Sequence, residues 1–128
     1  MDLPMLILTL SSVAVTGIVS VYDGDTFRAR LDCSTALFCE NMPIRVNGVD
    51  TPEIRGKCEA EKVLARKAKY FASQALGSGE VVLHNVERGK YFRLVADVEI
   101  NGLLLSEMLI EAGLGRRYDG GKRQGWCD

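Results

Sequence analysis

Thr16-Gly17-Ile18-Val19-Ser20-Val21-Tyr22-Asp23-Gly24-Asp25-Thr26-Phe27-Arg28-Ala29-Arg30-Leu31 reads as two strands wrapped around a tight turn. Residues 16–22 and 26–31 are rich in β-branched and aromatic side chains, and Asp23-Gly24-Asp25 between them is turn chemistry. Further along, a third strand is predicted at residues 43–49. There Ile44 and Val46 face one way and Arg45 and Asn47 the other, which puts Arg45 off the core and within reach of a ligand. Glu59–Leu76 is the clearest helix. Leu64, Ala68, Phe71, Ala72, Ala75 and Leu76 share one face of it, and Gly77 is expected to stop it. Strands follow at 81–86 and 94–100, then a turn at Asn101-Gly102 and a short helix at 104–112 ended by Gly113. Five short strands, with a long helix after the third and a short one near the end, make an α+β, mainly β, chain that suits a five-stranded OB-fold barrel.

The chain has 128 residues, enough for one domain with its own core. Its 47% apolar and 26% charged residues are ordinary for a globular protein. The net charge of −1 argues against a general polyanion binder, but the basic residues are grouped. Arg55 and Lys57 form one group, Arg88, Lys90 and Arg93 a second, and Arg116, Arg117, Lys122 and Arg123 a third. Local positive fields of this kind attract nucleic acid even when the total charge is near zero.

The chemistry concentrates in Arg45-Val46-Asn47-Gly48-Val49-Asp50-Thr51-Pro52-Glu53, with Asp25 upstream and Arg93 downstream. Asp25 and Asp50 offer charged oxygens suited to Ca²⁺ or Mg²⁺, and Thr51 can add a backbone carbonyl. Glu53, beyond a proline that fixes the backbone, can take a proton from an attacking water. Arg45 and Arg93 can each grip phosphate oxygens in a bidentate fork and stabilise charge developing at phosphorus. Each residue also has a plainer reading. Asp23 and Asp25 by themselves are turn formers, Asp50 through Glu53 could introduce a helix, and the arginines could be surface ion-pair partners. The coincidence of all these groups favours a metal-dependent nuclease. The one histidine, His84, cannot supply the pair that metal-free ribonuclease chemistry uses, and no serine triad pattern is present.

Asp23-Gly24-Asp25-Thr26, then Arg45 through Glu53, then Tyr91-Phe92-Arg93-Leu94-Val95-Ala96 resemble the three signature blocks of the thermonuclease (staphylococcal nuclease-like) family. The similarity runs from about residue 16 to residue 114. It implies a small OB-type barrel and Ca²⁺-dependent hydrolysis of DNA and RNA that leaves 3′-phosphate ends. Carried over by position, Asp25, Asp50 and Thr51 would hold calcium, and Arg45, Glu53 and Arg93 would do the chemistry. Asp23 matches a second acid that touches the metal through water. Tyr91 is a candidate for nucleotide contact, whereas Tyr118 and Trp126 are expected to pack. Phe92 departs from the glycine of the original member, and that member's C-terminal helix has no counterpart in these residues. The alternative from another class is a non-catalytic OB-fold nucleic-acid-binding module, against which the six filled positions argue.

Residues 3–10 are almost wholly apolar, and Ser12-Val13-Ala14 resembles a small-residue cleavage site. Residues 1–15 are therefore read as a signal peptide or an N-terminal extension, and 16–128 as the nuclease domain. The apolar stretch is too short for a membrane span, so no stable membrane insertion of the mature domain is expected. Four cysteines allow three connectivities. Cys33 with Cys39 and Cys58 with Cys127 is the favoured pairing, the second tying the basic tail beside the acidic motif. Disulfides go with a periplasmic or secreted location, whereas an uncleaved N-terminus would mean a cytoplasmic protein with free thiols. Nothing requires more than a monomer.

Overall fold

The computed structural model describes residues 12–127. The apolar stretch at 3–10 lies outside them. Five strands form a closed barrel: β1 (Ser12–Asp23), β2 (Thr26–Leu31), β3 (Met42–Val46), β5 (Val81–Arg88) and β6 (Leu94–Ile100). Their order is β3-β2-β1-β5-β6, and a parallel pairing of β3 with β6 closes the ring. A closed ring leaves few free edges, and the fold class read from the strand pattern is the one observed. Two-residue strands complete the architecture: β4 (Val49–Asp50), β7 (Leu103–Leu104) and β8 (Arg116–Arg117). A single helical turn, α1 (Ala36–Cys39), lies between β2 and β3.

Helix α2 spans Glu59–Leu76 and buries Ala65, Ala68, Ala72, Ala75 and Leu76 against the barrel. Its buried stripe is mostly alanine, so the helix backbone can come close to the strands. Helix α3 (Leu105–Glu111) sets Leu105 and Leu109 into the core, where Phe27, Ile44, Leu83 and Ile100 are also fully buried.

Several boundaries differ from the sequence reading. The third strand stops at Val46, because Gly48 adopts a left-handed φ of +88° and the chain turns before re-entering as β4. β1 starts at Ser12, so residues 12–15 lie in the sheet, where Ser12 through Val15 pair with His84 through Val81. Gly77 caps α2 in right-handed geometry, and its N–H bonds to the Ser73 carbonyl. The Asn101-Gly102 turn occurs as read, with both residues at positive φ between β6 and β7.

The structure joins Cys33 to Cys39 and Cys58 to Cys127, with Cα separations of 5.8 and 6.1 Å. The first bridge closes the β2–β3 connection. The second fastens the tail to the start of α2.

Candidate active site

The β1–β2 turn presents two acids, and the reason is visible in its glycine. A Cβ on Gly24 would lie 2.8 Å from Thr51 Cγ2 and 2.9 Å from the Ala68 Cβ, so only glycine lets the turn press against the Asp50-Thr51 segment and α2. That approach lets the Thr51 N–H donate to Asp25 Oδ2 at 3.0 Å, while the Thr26 hydroxyl donates to Asp25 Oδ1 at 3.1 Å. The Asp25 N–H donates to Asp23 Oδ1 at 3.2 Å. Asp23, Asp25, Asp50 and Thr51 are all buried.

Burial pushes the Asp23 carboxyl up to about 8, and the neighbouring charges of Asp25 and Glu53 add to the effect. The Thr51 hydroxyl oxygen is buried with no partner. Buried carboxylate and neutral oxygens of this kind are the donor types that a hard divalent cation takes together. Among the described residues, one trio of metal-ligand type falls within 4.8 Å: Cys58, Glu61 and Cys127. Its two sulfurs are bonded to each other, so they are not available to a metal.

Two arginines reach the same place from the β3–β6 seam. Arg45 sits opposite Val95 in the parallel pairing. Its Nη1 donates to the carbonyls of Val46 at 2.7 Å and Val49 at 2.9 Å and lies 3.4 Å from Asp25 Oδ2. These bonds pin the guanidinium in one orientation. Arg93 leads into β6, and its Nε is buried without a partner. A side chain on Gly89 would meet Val95 Cγ2 at 2.7 Å, so glycine there lets the loop fold back and the Gly89 N–H bond to the Arg93 carbonyl at 2.9 Å.

Glu53 is held through its backbone by a residue that the sequence reading did not single out. The buried Glu61 carboxylate accepts from the N–H groups of Glu53 at 3.1 Å and Lys57 at 2.9 Å. Burial pulls the Glu61 carboxyl upward, but these bonds and the charges of Lys57 and Arg123 outweigh it and hold the group below its ordinary value. A second unforeseen residue is Arg123, whose Nη2 lies 2.7 Å from Asp50 Oδ1 and also contacts Glu53 Oε2. The Asp50 contact is a close ion pair without hydrogen-bond alignment, since Oδ1 has no geometrically sound donor. Burial works against the Arg123 charge, but the two carboxylates more than offset it and raise its proton affinity. The basic cluster and Cys127 were the only sequence signals that this tail returns to the site.

Asp23, Asp25, Arg45, Glu53, Arg93 and Arg123 line one cleft of about 890 Å³. Tyr118, expected to pack, lines it too, its ring centre 5.9 Å from the Arg45 guanidinium carbon. Asp50 and Thr51 are buried and are not part of this lining, and Asp50 borders a neighbouring pocket with Arg116 and Tyr118. Tyr91 is 86% exposed and stands outside the cleft, beside Lys90, which lines it. Trp126 packs under Arg116, whose guanidinium is 3.7 Å from the ring centre. His84 is half-buried and bonded to Glu99 Oε1 at 2.6 Å, a structural arrangement as expected.

Residues 43–125 match the family model described as staphylococcal nuclease homologue. The chain belongs to this family. The matched span carries Arg45, Asp50, Thr51, Glu53 and Arg93, and the bond from Thr51 to Asp25 ties the earlier turn to it. The family is generally one of nucleic-acid hydrolases that use Ca²⁺. No curated protein matches the chain. No helix among the described residues is long and apolar enough to cross a membrane.

Proposed function

We propose that the protein is a calcium-dependent nuclease that hydrolyses phosphodiester bonds of DNA and RNA and leaves 3′-phosphate ends. The observation that carries this reading is the convergence of Arg45, Arg93, Glu53 and the buried Asp25 on one open cleft. Asp25, Asp50 and Thr51 are the residues that would hold calcium, with Asp23 reaching it through water. The bound ion would act as a Lewis acid and template for the phosphate.

The chain's own groups supply the rest. Arg45, already oriented by two carbonyls, presents its fork to non-bridging phosphate oxygens. Arg93, with a buried Nε that lacks a partner, gains one when a phosphate enters. Both then offset the charge that grows at phosphorus. Glu53 is in a position to accept a proton from water approaching opposite the leaving oxygen. Its backbone anchor on Glu61 fixes the segment that carries this carboxylate, and Arg123 contacts the carboxylate itself.

We propose that the protein works in an oxidising compartment, periplasmic or extracellular, as a monomer. The two disulfides support that location. The test is incubation of purified protein with plasmid and single-stranded DNA in calcium, then in excess chelator, beside Glu53→Gln. Calcium-dependent degradation that the substitution abolishes is the expected result. Intact DNA in calcium, with a shift in gel mobility, would mean a binding module instead.

A further inference from the structure

Outside the cleft, exposed apolar side chains from two loops far apart in sequence come together. Leu37 and Phe38, on the turn closed by the Cys33–Cys39 bridge, are 75% and 44% exposed. Phe92, on the loop before β6, is 47% exposed, and its ring centre lies 5.8 Å from that of Phe38 at an interplanar angle of 33°. Tyr91 beside it has a φ of +60°, a backbone state that a bulky residue rarely adopts and that here holds the ring out into solvent. Water-facing aromatics in such numbers are costly unless something covers them.

Charge identifies what covers them. The Arg88 guanidinium stands 6.0 Å from the Phe92 ring centre, and Arg88, Lys90 and Arg93 all line the cleft. The patch is therefore continuous with a basic wall and has cationic edges. Aromatic faces beside guanidinium and ammonium groups suit unpaired bases and the phosphates that link them, whereas a duplex keeps its base faces stacked inside.

We propose that Phe38 and Phe92, flanked by Leu37 and Tyr91, form a stacking platform for unpaired bases of a nucleic-acid strand whose phosphate lies in the cleft. The platform adds base contacts beyond the phosphate held in the cleft. It rests on the reading of the cleft as a phosphodiester site, and it assigns a role to the disulfide-closed turn, which otherwise touches nothing in that site.

The test is binding in excess chelator, where cleavage does not interfere, followed by fluorescence anisotropy. The probes are labelled decathymidylate, labelled dithymidylate and a labelled blunt duplex of matching length. The wild type should bind the ten-nucleotide strand more tightly than the duplex. Phe38→Ala and Phe92→Ala should each weaken it by about fivefold or more, the usual scale of one lost base–aromatic stack. The dinucleotide, with fewer bases to stack, should lose less. Leu103→Ala, which removes an exposed leucine outside the cleft lining, should change none of these values. Unchanged decathymidylate affinity in both phenylalanine variants overturns the proposal, as does equal loss for both strand lengths or wild-type preference for the duplex. Wild-type cleavage in calcium is measured separately. Its absence would sink the nuclease reading while the binding series still judged the platform.

Discussion

The cleft has two walls built in opposite ways. One is barrel: Asp23, Asp25 and Arg45 sit on or between laddered strands, and each is tied down by backbone groups. The other is tail: Tyr118 and Arg123 sit on a stretch with almost no regular structure, held by the short β4–β8 pairing and by the Cys58–Cys127 bridge. Strand ladders fix positions to a fraction of an ångström at no extra cost, because the same bonds hold up the fold. A tail must be fixed covalently, and what it carries can be changed without unfolding the barrel. The lesson is that the barrel wall should hold the groups whose placement the chemistry cannot forgive, and the tail wall those that adjust affinity.

The largest effect expected from this division is on Arg93, at the entrance of β6. Arg93→Ala should lower kcat by about a hundredfold or more, the scale of losing one group that stabilises transition-state charge. Its melting temperature should stay near that of the wild type, since the side chain fills no part of the core. Activity within tenfold of wild type would remove Arg93 from the chemistry.

Packing should distinguish the walls next. Gly24→Ala puts a methyl against Thr51 and Ala68, where neither the turn nor the helix can yield, and should cost about 1–3 kcal/mol. Gly121→Ala in the tail meets nothing nearer than Asp119 Oδ1 at 3.5 Å and should be almost neutral. Thermal denaturation of the two variants is enough. Equal losses would mean that the tail is packed as tightly as the barrel.

How legible these walls were in the sequence follows from the same physics. Glu59–Leu76 was predicted to the residue because eighteen residues repeat one apolar stripe. The acids of the turn and the two arginines stand out because they fall in blocks that resemble a family signature, and the structure brings them to one cleft. Strand β8 was not predicted, since two residues carry no periodicity. Arg123 pairs with Glu53 across seventy positions, and no local pattern encodes such a contact. Glu61 lay hidden for another reason. On a helical wheel it is one more charge, and only the folded loop shows two backbone N–H groups pointing at it.

A pH series sharpens the barrel side. The Asp23 carboxyl titrates near 8 in the folded protein against 3.8 ordinarily, so between those values the native state holds a proton that the unfolded chain has released. Metal-free stability should therefore fall as pH rises through that window, with the full penalty present above about 8. Asp23→Asn has no proton to lose. In chelator it should melt with the wild type near pH 4 and several degrees higher, roughly, above pH 8. Calcium should shrink the difference by stabilising the ionised cluster. A variant less stable than wild type at high pH would contradict the crowding of acids.

The smallest effect belongs to Arg123, and it tests the tail wall most directly. Its guanidinium neutralises Asp50 and Glu53 when no metal is bound, so Arg123→Ala should destabilise the chelated protein. The loss should be only about 1 kcal/mol, because the side chain is 44% exposed and water screens the pair. The same substitution should tighten calcium binding, because a cation that competes for Asp50 has gone. Titration calorimetry reads that directly, without any turnover. Cys127→Ser should tighten calcium binding by less, since the β4–β8 pairing still guides the tail toward the site, but it should cost more stability, about 2–4 kcal/mol, because the bridge constrains the unfolded chain. If calcium instead binds more weakly to Arg123→Ala, the guanidinium orients Asp50 for the metal rather than standing in its place, and the tail becomes part of the metal site's construction.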